Sequence, residues 1–189
     1  MNAKDLIRAQ YKQMRDAMPE TERLERSRRL CRLLFASQAY IETTEVFTFI
    51  GFGSEVATCL IIERALQDGK RVAVPVTKAN GQMDFIGITD LRDLRPSRFG
   101  VLEPMGGVVV RPDARCLMLL PGLAFGRDGY RVGYGKGFYD RYLSHTAIEQ
   151  TVGLCFAAQI TDAVPHDTFD IAAKQILTEE GWVEMYDRA

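Results

Sequence analysis

The sequence contains few of the residues that build metal centres and thiol chemistry. Among its 189 residues are two histidines and four cysteines, and the cysteines stand far apart, at positions 31, 59, 116 and 155. No two of them have the C-x-x-C spacing of a zinc or dithiol site, and each lies in an apolar context. These features argue against a zinc protein and predict four reduced cysteines in the core. We assign no role to His145 or His166, which we expect at the surface.

The chain also lacks a charge bias and a long apolar run. Its 24 basic and 25 acidic residues give a net charge of −1, so no overall field attracts nucleic acid or a membrane surface. No apolar stretch approaches the roughly 18 residues of a membrane-spanning helix, and the first residues, MNAKDLIRAQYK, are charged. We therefore expect a soluble, cytoplasmic protein, a monomer or a weak dimer, that binds neither nucleic acid nor membranes.

Alternating strand and helix patterns predict the fold class. Apolar, β-branched runs predict strands at 45–52, 71–76, 116–120, 150–156 and 176–178. Helical patterns cover 4–18, 21–36 and 55–67, the last capped by Ser54, and another helix begins after Gly137. Asn80-Gly81 predicts a turn into an antiparallel strand at 84–88. This order predicts a three-layer α/β/α fold with a mostly parallel, partly mixed sheet. No linker or repeat divides the chain, so we expect a single domain over residues 1–189.

Residues 119–141, which read LLPGLAFGRDGYRVGYGKGFYDR, combine a strand end, a glycine loop and a helix start. After a turn at Gly126-Arg127-Asp128-Gly129, three glycines alternate at positions 133, 135 and 137. Backbone N–H groups of such a loop, together with a helix N-terminus, form a binding site for phosphate. Arg131 and Lys136 would add positive charge, so the predicted ligand is a polyphosphate. The alternative is a flexible glycine hairpin with solvated charges.

The loop differs from the two commonest phosphate-binding patterns. A Walker loop would require glycine where Tyr130 stands and a hydroxyl residue where Gly137 stands, and a dinucleotide fingerprint would require glycine in place of Phe138. No serine or threonine of the loop can therefore hold a metal ion. Asp140 is the nearest candidate ligand.

The stretch PGLAFGRDGYRVGYGKGFYDRYL resembles the signature of the 5-formyltetrahydrofolate cyclo-ligase family. The resemblance extends from Lys4 to Thr178 and is weakest over residues 20–45 and 77–99. Members of that family use ATP and magnesium to close 5-formyltetrahydrofolate into 5,10-methenyltetrahydrofolate. The resemblance thus implies an ATP-dependent cyclo-ligase that binds ATP and 5-formyltetrahydrofolate and takes Mg²⁺ as its cofactor.

The first helix carries a second match to this family. Lys4, Arg8 and Arg15 lie on one flank of its apolar stripe, and a solvated basic flank is the ordinary interpretation of such residues. Family members have an N-terminal Lys-x-x-x-Arg that contacts ATP, and Lys4 and Arg8 have that spacing. Arg15 has no counterpart in this motif.

The resemblance implies two sets of binding residues. The ATP-binding set is Lys4, Asp5, Leu6, Ile7, Arg8, Arg131, Val132, Gly133, Tyr134, Gly135, Lys136, Gly137, Phe138 and Tyr139. The folate-binding set is Ile50, Glu55, Tyr134, Gly135, Lys136, Gly137 and Phe138. Arg131 and Lys136 are also the candidate catalytic groups, since they would offset charge on the transferred phosphate.

Glu55 has two explanations at this stage. It follows a predicted strand at its carboxyl end, where open α/β sheets bind their ligands, and the family has a glutamate here that holds the folate. It also stands in the first turn of a predicted helix, where the helix dipole alone favours an acidic residue.

Asp140 and Asp170 are the metal ligands that the resemblance implies. In the family, the aspartate of the Tyr-Asp motif is joined by one from a Pro-x-x-x-His-Asp element. The register to Thr178 selects Asp170 and not Asp167, and the frequent histidine of that element is Phe169 here. Carboxylates are hard oxygen ligands of the kind that Mg²⁺ prefers. As an alternative, Asp170 is a loop residue that accepts nearby backbone N–H groups.

Two other functions fit parts of the pattern. A sugar-phosphate or coenzyme A enzyme would use the glycine loop, but it would need its own base and would not need Lys4 and Arg8. A non-catalytic reduced-folate binder would keep Glu55 and could lose either aspartate. In the family's reaction the formyl oxygen is phosphorylated, N10 attacks, and phosphate leaves. No Ser-His-Asp or Cys-His pairing is evident, which is consistent with direct transfer between substrates.

Overall fold

A computed structural model of the protein describes residues 2–78, 81–97, 100–113 and 115–186. The helices are α1 (Ala3–Asp16), α2 (Glu20–Phe35), α3 (Gln38–Glu42), α4 (Cys59–Gln67) and α5 (Phe138–Leu143). The strands are β1 (Glu45–Phe47), β2 (Arg71–Thr77), β3 (Met83–Ile88), β4 (Leu94–Pro96), β5 (Leu102–Pro104), β6 (Val109–Val110), β7 (Cys116–Leu120), β8 (Ala124–Gly126), β9 (Arg131–Val132), β10 (Gln150–Leu154), β11 (Ile160–Thr161), β12 (Gln175–Thr178) and β13 (Gly181–Trp182).

The main sheet has eight strands in the order β13-β12-β10-β7-β1-β2-β3-β6. The five strands from β12 to β2 run parallel, and β13, β3 and β6 run antiparallel to their neighbours. This arrangement confirms the predicted mostly parallel, partly mixed sheet. The antiparallel β2–β3 pairing is also confirmed, although Asn80 of the predicted turn lies outside the described residues. From β1 the chain builds one half of the sheet outward and then returns to β7 on the other side. A topological switch point therefore lies between β1 and β7.

The two faces of the sheet have separate cores, because successive strand residues point to opposite sides. Val46 and Leu117 pack beneath α2 and α4, whereas Phe47 and Met118 pack with Leu143 of α5. These two helical layers confirm the predicted three-layer fold.

Helix α1 packs elsewhere, against a small sheet of β11, β8 and β9. Its Ile7 and Tyr11 contact the buried residues Ala124, Val132 and Val164. The stretch that resembles the family signature contains two strands of this small sheet, β8 and β9, joined by the predicted turn. Helix α1 and the glycine loop are therefore neighbours in space.

The prediction of a helix beginning at Glu55 is wrong, since α4 begins at Cys59. Ser54 caps no helix, because its hydroxyl bonds side chains of α1 instead. The Thr58 hydroxyl accepts the N–H of Gly51 and donates to the carbonyl of Phe49, which holds the intervening segment as a loop. The strand predicted at 45–52 accordingly ends at Phe47.

Two smaller expectations also change. The strand predicted at 150–156 ends at Leu154, and a 3-10 turn, Ala157–Gln159, soon follows. Cys31, Cys116 and Cys155 are buried and free, as expected, but Cys59 is exposed at the start of α4. Among the described residues, no helix is both long and apolar enough to cross a membrane.

Gly153 in β10 makes room for a core aromatic ring. A Cβ at this position would lie 2.4 Å from Cε1 of Phe125, which is fully buried beside Cys155 and Ile176. Gly153→Ala should therefore overpack this cluster and lower the free energy of unfolding by about 1–3 kcal/mol. Urea denaturation measures the change. Gly106→Ala is the matched control, because a Cβ there meets nothing within 4 Å. Equal losses in both variants would contradict the packing explanation, and adding Phe125→Leu should restore part of the loss in Gly153→Ala.

Candidate active site

A cavity of about 500 Å³ opens beyond the carboxyl end of β7, beside the switch point. It is lined by Lys4 and Arg8 of α1, by Pro121 and Gly122, by residues 131–140, and by Asp167 and Asp170. The predicted phosphate loop, both predicted metal ligands and two N-terminal basic residues thus share one cavity.

The glycine loop needs its glycines for both conformation and space. Gly135 and Gly137 have φ angles of 87° and 62°, which side chains rarely adopt. A Cβ on Gly135 would lie 3.2 Å from the Arg8 guanidinium carbon, and one on Gly137 would lie 3.0 Å from the guanidinium of Arg141. Arg8 also donates from Nε to the carbonyl of Gly133 at 2.9 Å. The loop is therefore held closely by side chains of α1 and α5.

Arg131 joins three segments behind the loop. Its buried guanidinium donates to Oδ1 of Asp140 at 2.9 Å and to the carbonyl of Ile171 at 2.6 Å. The same Asp140 oxygen accepts the N–H of Ile171 at 3.1 Å. Arg131 thus lines the cavity while bonding protein groups, and it fixes Asp140 next to the segment that carries Asp170.

Lys4 lies between two aspartates. Its ammonium is 2.7 Å from Oδ2 of Asp170 and also pairs with Asp167. Asp170 Oδ2 in addition accepts the N–H of Asp167 at 2.7 Å, so the local-capping contact exists beside the cavity. Burial raises the pKa of Asp170, but the hydrogen bonds from Lys4 and from Asp167 N–H outweigh this, and the pKa is lowered overall. Asp167, which the sequence register set aside, belongs to the same cluster.

The carboxylates of Asp140 and Asp170 have the chemistry to hold Mg²⁺. Within the described part of the chain, Oδ2 of Asp140 and Oδ1 of Asp170 accept no hydrogen bond, and both residues line the cavity. No cluster of three or more His, Cys, Asp or Glu side chains among the described residues is placed to form a metal cage. One or two carboxylates with substrate phosphates is the usual protein environment of Mg²⁺.

Glu55 is buried beside the cavity. Its Oε2 accepts the N–H of Phe52 at 3.0 Å, and its Oε1 lies 3.9 Å from Nη1 of Arg15. Burial raises the pKa of Glu55, and the Phe52 N–H, the charge of Arg15 and the Tyr134 hydroxyl oppose this only in part. The hydroxyl of Tyr134, in the glycine loop, accepts a hydrogen bond from Nη2 of Arg15 at 2.5 Å. The residue predicted to hold folate is therefore in contact with the predicted phosphate loop through one arginine and one tyrosine.

The remaining predicted residues lie in different environments. Ile50 is buried in the core and is not among the residues that line the cavity. Leu6 is exposed, and Asp5 accepts a hydrogen bond from Arg8. Lys136 is exposed, and its side chain makes no hydrogen bond to the described residues. The hydroxyl of Tyr139 is buried without a partner in the described part of the chain, in a residue that lines the cavity.

Known proteins match this chain over nearly its whole length. A sequence model described as the 5-formyltetrahydrofolate cyclo-ligase family matches residues 1–179. The chain belongs to this family. It is 31% identical to a 5-formyltetrahydrofolate cyclo-ligase of Mus musculus over 192 residues, which cover 95% of each protein. It is 28% identical to that of Escherichia coli K12, over 88% of this chain and 95% of the relative. A solved structure of Aquifex aeolicus 5,10-methenyltetrahydrofolate synthetase superposes with a TM-score of 0.85 at 25% identity, over 100% of this chain and 95% of the other.

Most residues that line the cavity were predicted from the sequence, but the neighbouring Arg15 was assigned no role. The guanidinium of Arg15 is buried and bonds Ser54, Gly122 and Tyr134. The one available signal was its place on the same flank of α1 as Lys4 and Arg8. Its partners lie 39, 107 and 119 positions away, so nothing local in the sequence indicates them.

The raised pKa of Glu55 predicts a pH-dependent effect on stability. The unfolded chain ionises this group near its ordinary value of 4.5, whereas the folded chain ionises it only at higher pH. The free energy of unfolding of the wild type therefore decreases as the pH rises above 4.5, because the unfolded chain releases this proton first. Glu55→Gln has no such proton and does not show this decrease. Relative to wild type, the unfolding free energy of Glu55→Gln should therefore increase as the pH rises above about 4.5.

Urea denaturation at several pH values measures this slope. Because Glu55→Gln also leaves Arg15 without its carboxylate, the test is the change with pH and not the difference at one pH. Glu63→Gln, an exposed site on α4, is the control. A Glu55→Gln difference that stays constant with pH would refute the burial effect.

Proposed function

We propose that the protein catalyses the ATP- and Mg²⁺-dependent cyclisation of 5-formyltetrahydrofolate to 5,10-methenyltetrahydrofolate, with release of ADP and phosphate. Membership of the cyclo-ligase family supports the reaction class. The observation that carries the proposal is one cavity that combines the glycine loop, the basic residues Lys4 and Arg8, and the carboxylates Asp140 and Asp170. These are the groups that phosphoryl transfer requires.

The reaction must turn the formyl oxygen into a leaving group. In the proposed sequence this oxygen attacks the γ-phosphorus of ATP, the bond to ADP breaks, and a phosphorylated formyl intermediate forms. N10 then attacks the formyl carbon and loses its proton, and the carbon–oxygen bond breaks. The oxygen leaves as part of inorganic phosphate, so no water molecule is consumed.

The chain's own residues would supply position and charge for this sequence. The glycine loop presents backbone N–H groups, Arg8 and Lys136 offset phosphate charge, and Arg131 holds Asp140 in place. Asp140 and Asp170 would hold Mg²⁺, which when bound neutralises phosphate charge and orients the nucleotide. The unpaired hydroxyl of Tyr139 is available to a polar atom of a bound substrate.

The folate would lie at the Glu55 end of the site. A buried carboxylate accepts hydrogen bonds from the N–H donors of a pterin ring, and Glu55 Oε1 has no close backbone donor among the described residues. Since Tyr134 belongs to the glycine loop and reaches the surroundings of Glu55, the two substrates would be adjacent.

Turnover can be tested directly. The protein is mixed with 5-formyltetrahydrofolate, ATP and Mg²⁺, and the near-ultraviolet absorbance of the extended amidinium chromophore of the product is followed. We expect the absorbance to increase only when 5-formyltetrahydrofolate, ATP and Mg²⁺ are all present. The increase should stop when the metal is chelated. Folate binding without any turnover would instead identify a non-catalytic binder and overturn the proposal.

Asp140 and Asp170 should act as one unit if they share a metal ion. We expect Asp140→Asn and Asp170→Asn each to lower kcat/KM by roughly 100-fold, and the double variant to be little worse than either. Asparagine keeps an acceptor for Arg131 and Ile171, so the fold should survive the change at Asp140. Higher Mg²⁺ concentrations should restore part of the activity of the single variants.

Asp167→Asn is the matched control for this cycle. It also removes a carboxylate from Lys4, but its side chain is 74% exposed and we assign it no metal. We expect a loss of no more than about threefold, unaffected by Mg²⁺. Fully additive losses for Asp140→Asn and Asp170→Asn would rule the shared metal out.

Lys136→Ala should weaken the use of ATP, because it removes the exposed ammonium from the glycine loop. The expected loss of transition-state stabilisation is about 2–4 kcal/mol, measured as kcat/KM for ATP. Lys174→Ala, another exposed lysine that does not line the cavity, should have no effect. An unchanged kcat/KM in Lys136→Ala would shift the charge-offsetting role to Arg8 and the backbone N–H groups.

A further inference from the structure

Arg15 is a buried cation at the C-terminal end of α1. Its side chain is 3% exposed, and burial of a guanidinium is unfavourable unless its donors are satisfied. The donors bond three segments: the hydroxyl of Ser54 at 3.0 Å, the carbonyl of Gly122 at 3.4 Å and the hydroxyl of Tyr134 at 2.5 Å. Ser54 lies after β1, Gly122 lies after β7, and Tyr134 belongs to the glycine loop. Arg15 thus joins both sides of the topological switch point to the phosphate loop.

Arg15 leaves one oxygen of Glu55 available. The 3.9 Å between Nη1 and Oε1 is within ion-pair range but is longer than a hydrogen bond. The other oxygen, Oε2, accepts the N–H of Phe52. A neighbouring positive charge therefore favours the ionised carboxylate while Oε1 keeps acceptor capacity for a ligand.

Tyr134 connects this pair to the glycine loop. It stands between Gly133 and Gly135, and half of its surface is exposed. Its hydroxyl interacts with both Arg15 and Glu55, and its ring lies 5.9 Å from the Arg15 guanidinium carbon. The loop is therefore anchored to the folate end of the site through one side chain.

We propose that Arg15 is a positioning residue that links Glu55 to Tyr134, so that a reduced folate bound at Glu55 and a nucleotide bound at the glycine loop each favour binding of the other. This inference rests on the proposed function. By thermodynamic linkage, the two effects must be equal in size. A purely structural Arg15 would change stability alone.

The test measures the affinity for 5-formyltetrahydrofolate by calorimetric titration, with and without a non-hydrolysable ATP analogue and Mg²⁺. In the wild type we expect the analogue to tighten folate binding by roughly 5- to 20-fold. Arg15→Gln and Tyr134→Phe should both bring this ratio close to one. Arg15→Lys retains the charge but cannot reach three partners, so it should keep more of the folate affinity than Arg15→Gln while losing the ratio.

A pH series separates positioning from mere stabilisation. Glu55 faces Arg15 from α1 and Tyr134 and Tyr139 from the signature stretch, and Asp16 contacts the same Ser54 hydroxyl as Arg15. Without the cation, Glu55 ionises at higher pH. Folate affinity in Arg15→Gln should therefore reach its plateau at a higher pH than it does in wild type.

Arg64→Gln is the matched control, because this arginine of α4 pairs with Asp68, just beyond the helix, and lies over Phe35, away from the site. It should keep the wild-type ratio and pH profile.

If Arg15→Gln does not fold, Tyr134→Phe decides the question, since it removes one hydroxyl from a half-exposed residue. A wild-type ratio near one, or an unchanged ratio in Tyr134→Phe, overturns the inference. Loss of turnover in the wild type would instead overturn the proposed function, so the two failures are distinguishable.

Discussion

The docking of one basic flank of α1 onto distant parts of the chain determines the shape of the cavity. Lys4 contacts Asp170, Arg8 contacts Gly133, and Arg15 contacts Tyr134, across 166, 125 and 119 positions of sequence. Residues spaced four and seven apart share a side of a helix, so a rigid helix fixes the distances between these three contacts. The glycine loop, the Asp170 segment and the Glu55 loop are thereby held in register with one another.

These contacts differ in how readily a ligand can replace them. The Lys4–Asp170 pair is partly exposed, at 21% and 24% of the two side chains, and pairs of this kind contribute at most about 1 kcal/mol. The guanidinium of Arg131 is 5% exposed and bonds both Asp140 and Ile171. Breaking the Arg131–Asp140 pair would leave a buried charge unpaired, which costs far more free energy than breaking the Lys4–Asp170 pair. In the proposed reaction, Lys4 can therefore exchange Asp170 for phosphate, whereas Arg131 stays with the protein.

The parts of the molecule that follow from local patterns were predicted from the sequence. Apolar runs identified the central strands, and the glycine alternation identified the loop, because periodicity and backbone conformation are encoded by neighbouring residues. The start of α4 was not predicted correctly. The Ser54 hydroxyl, which was expected to cap a helix, bonds Arg15 and Asp16 instead. Asp167 was set aside by counting positions, but the reach of Lys4 includes it in the cluster. Each failure comes from a contact between residues that are distant in sequence.

The glycine loop, which we propose binds phosphate, stands beside several carboxylates. Four basic side chains, of Lys4, Arg8, Arg131 and Lys136, and three acidic ones, of Asp140, Asp167 and Asp170, line it. A free polyphosphate would bring its negative charge next to these aspartates, and the like charges would repel each other. In the proposed reaction, a nucleotide that carries a divalent cation would be attracted by these carboxylates, because Asp140 and Asp170 would hold the cation. The aspartates would then favour the metal complex over the free nucleotide. Since Lys4 already pairs with Asp170, the same carboxylates are compensated before any ligand binds.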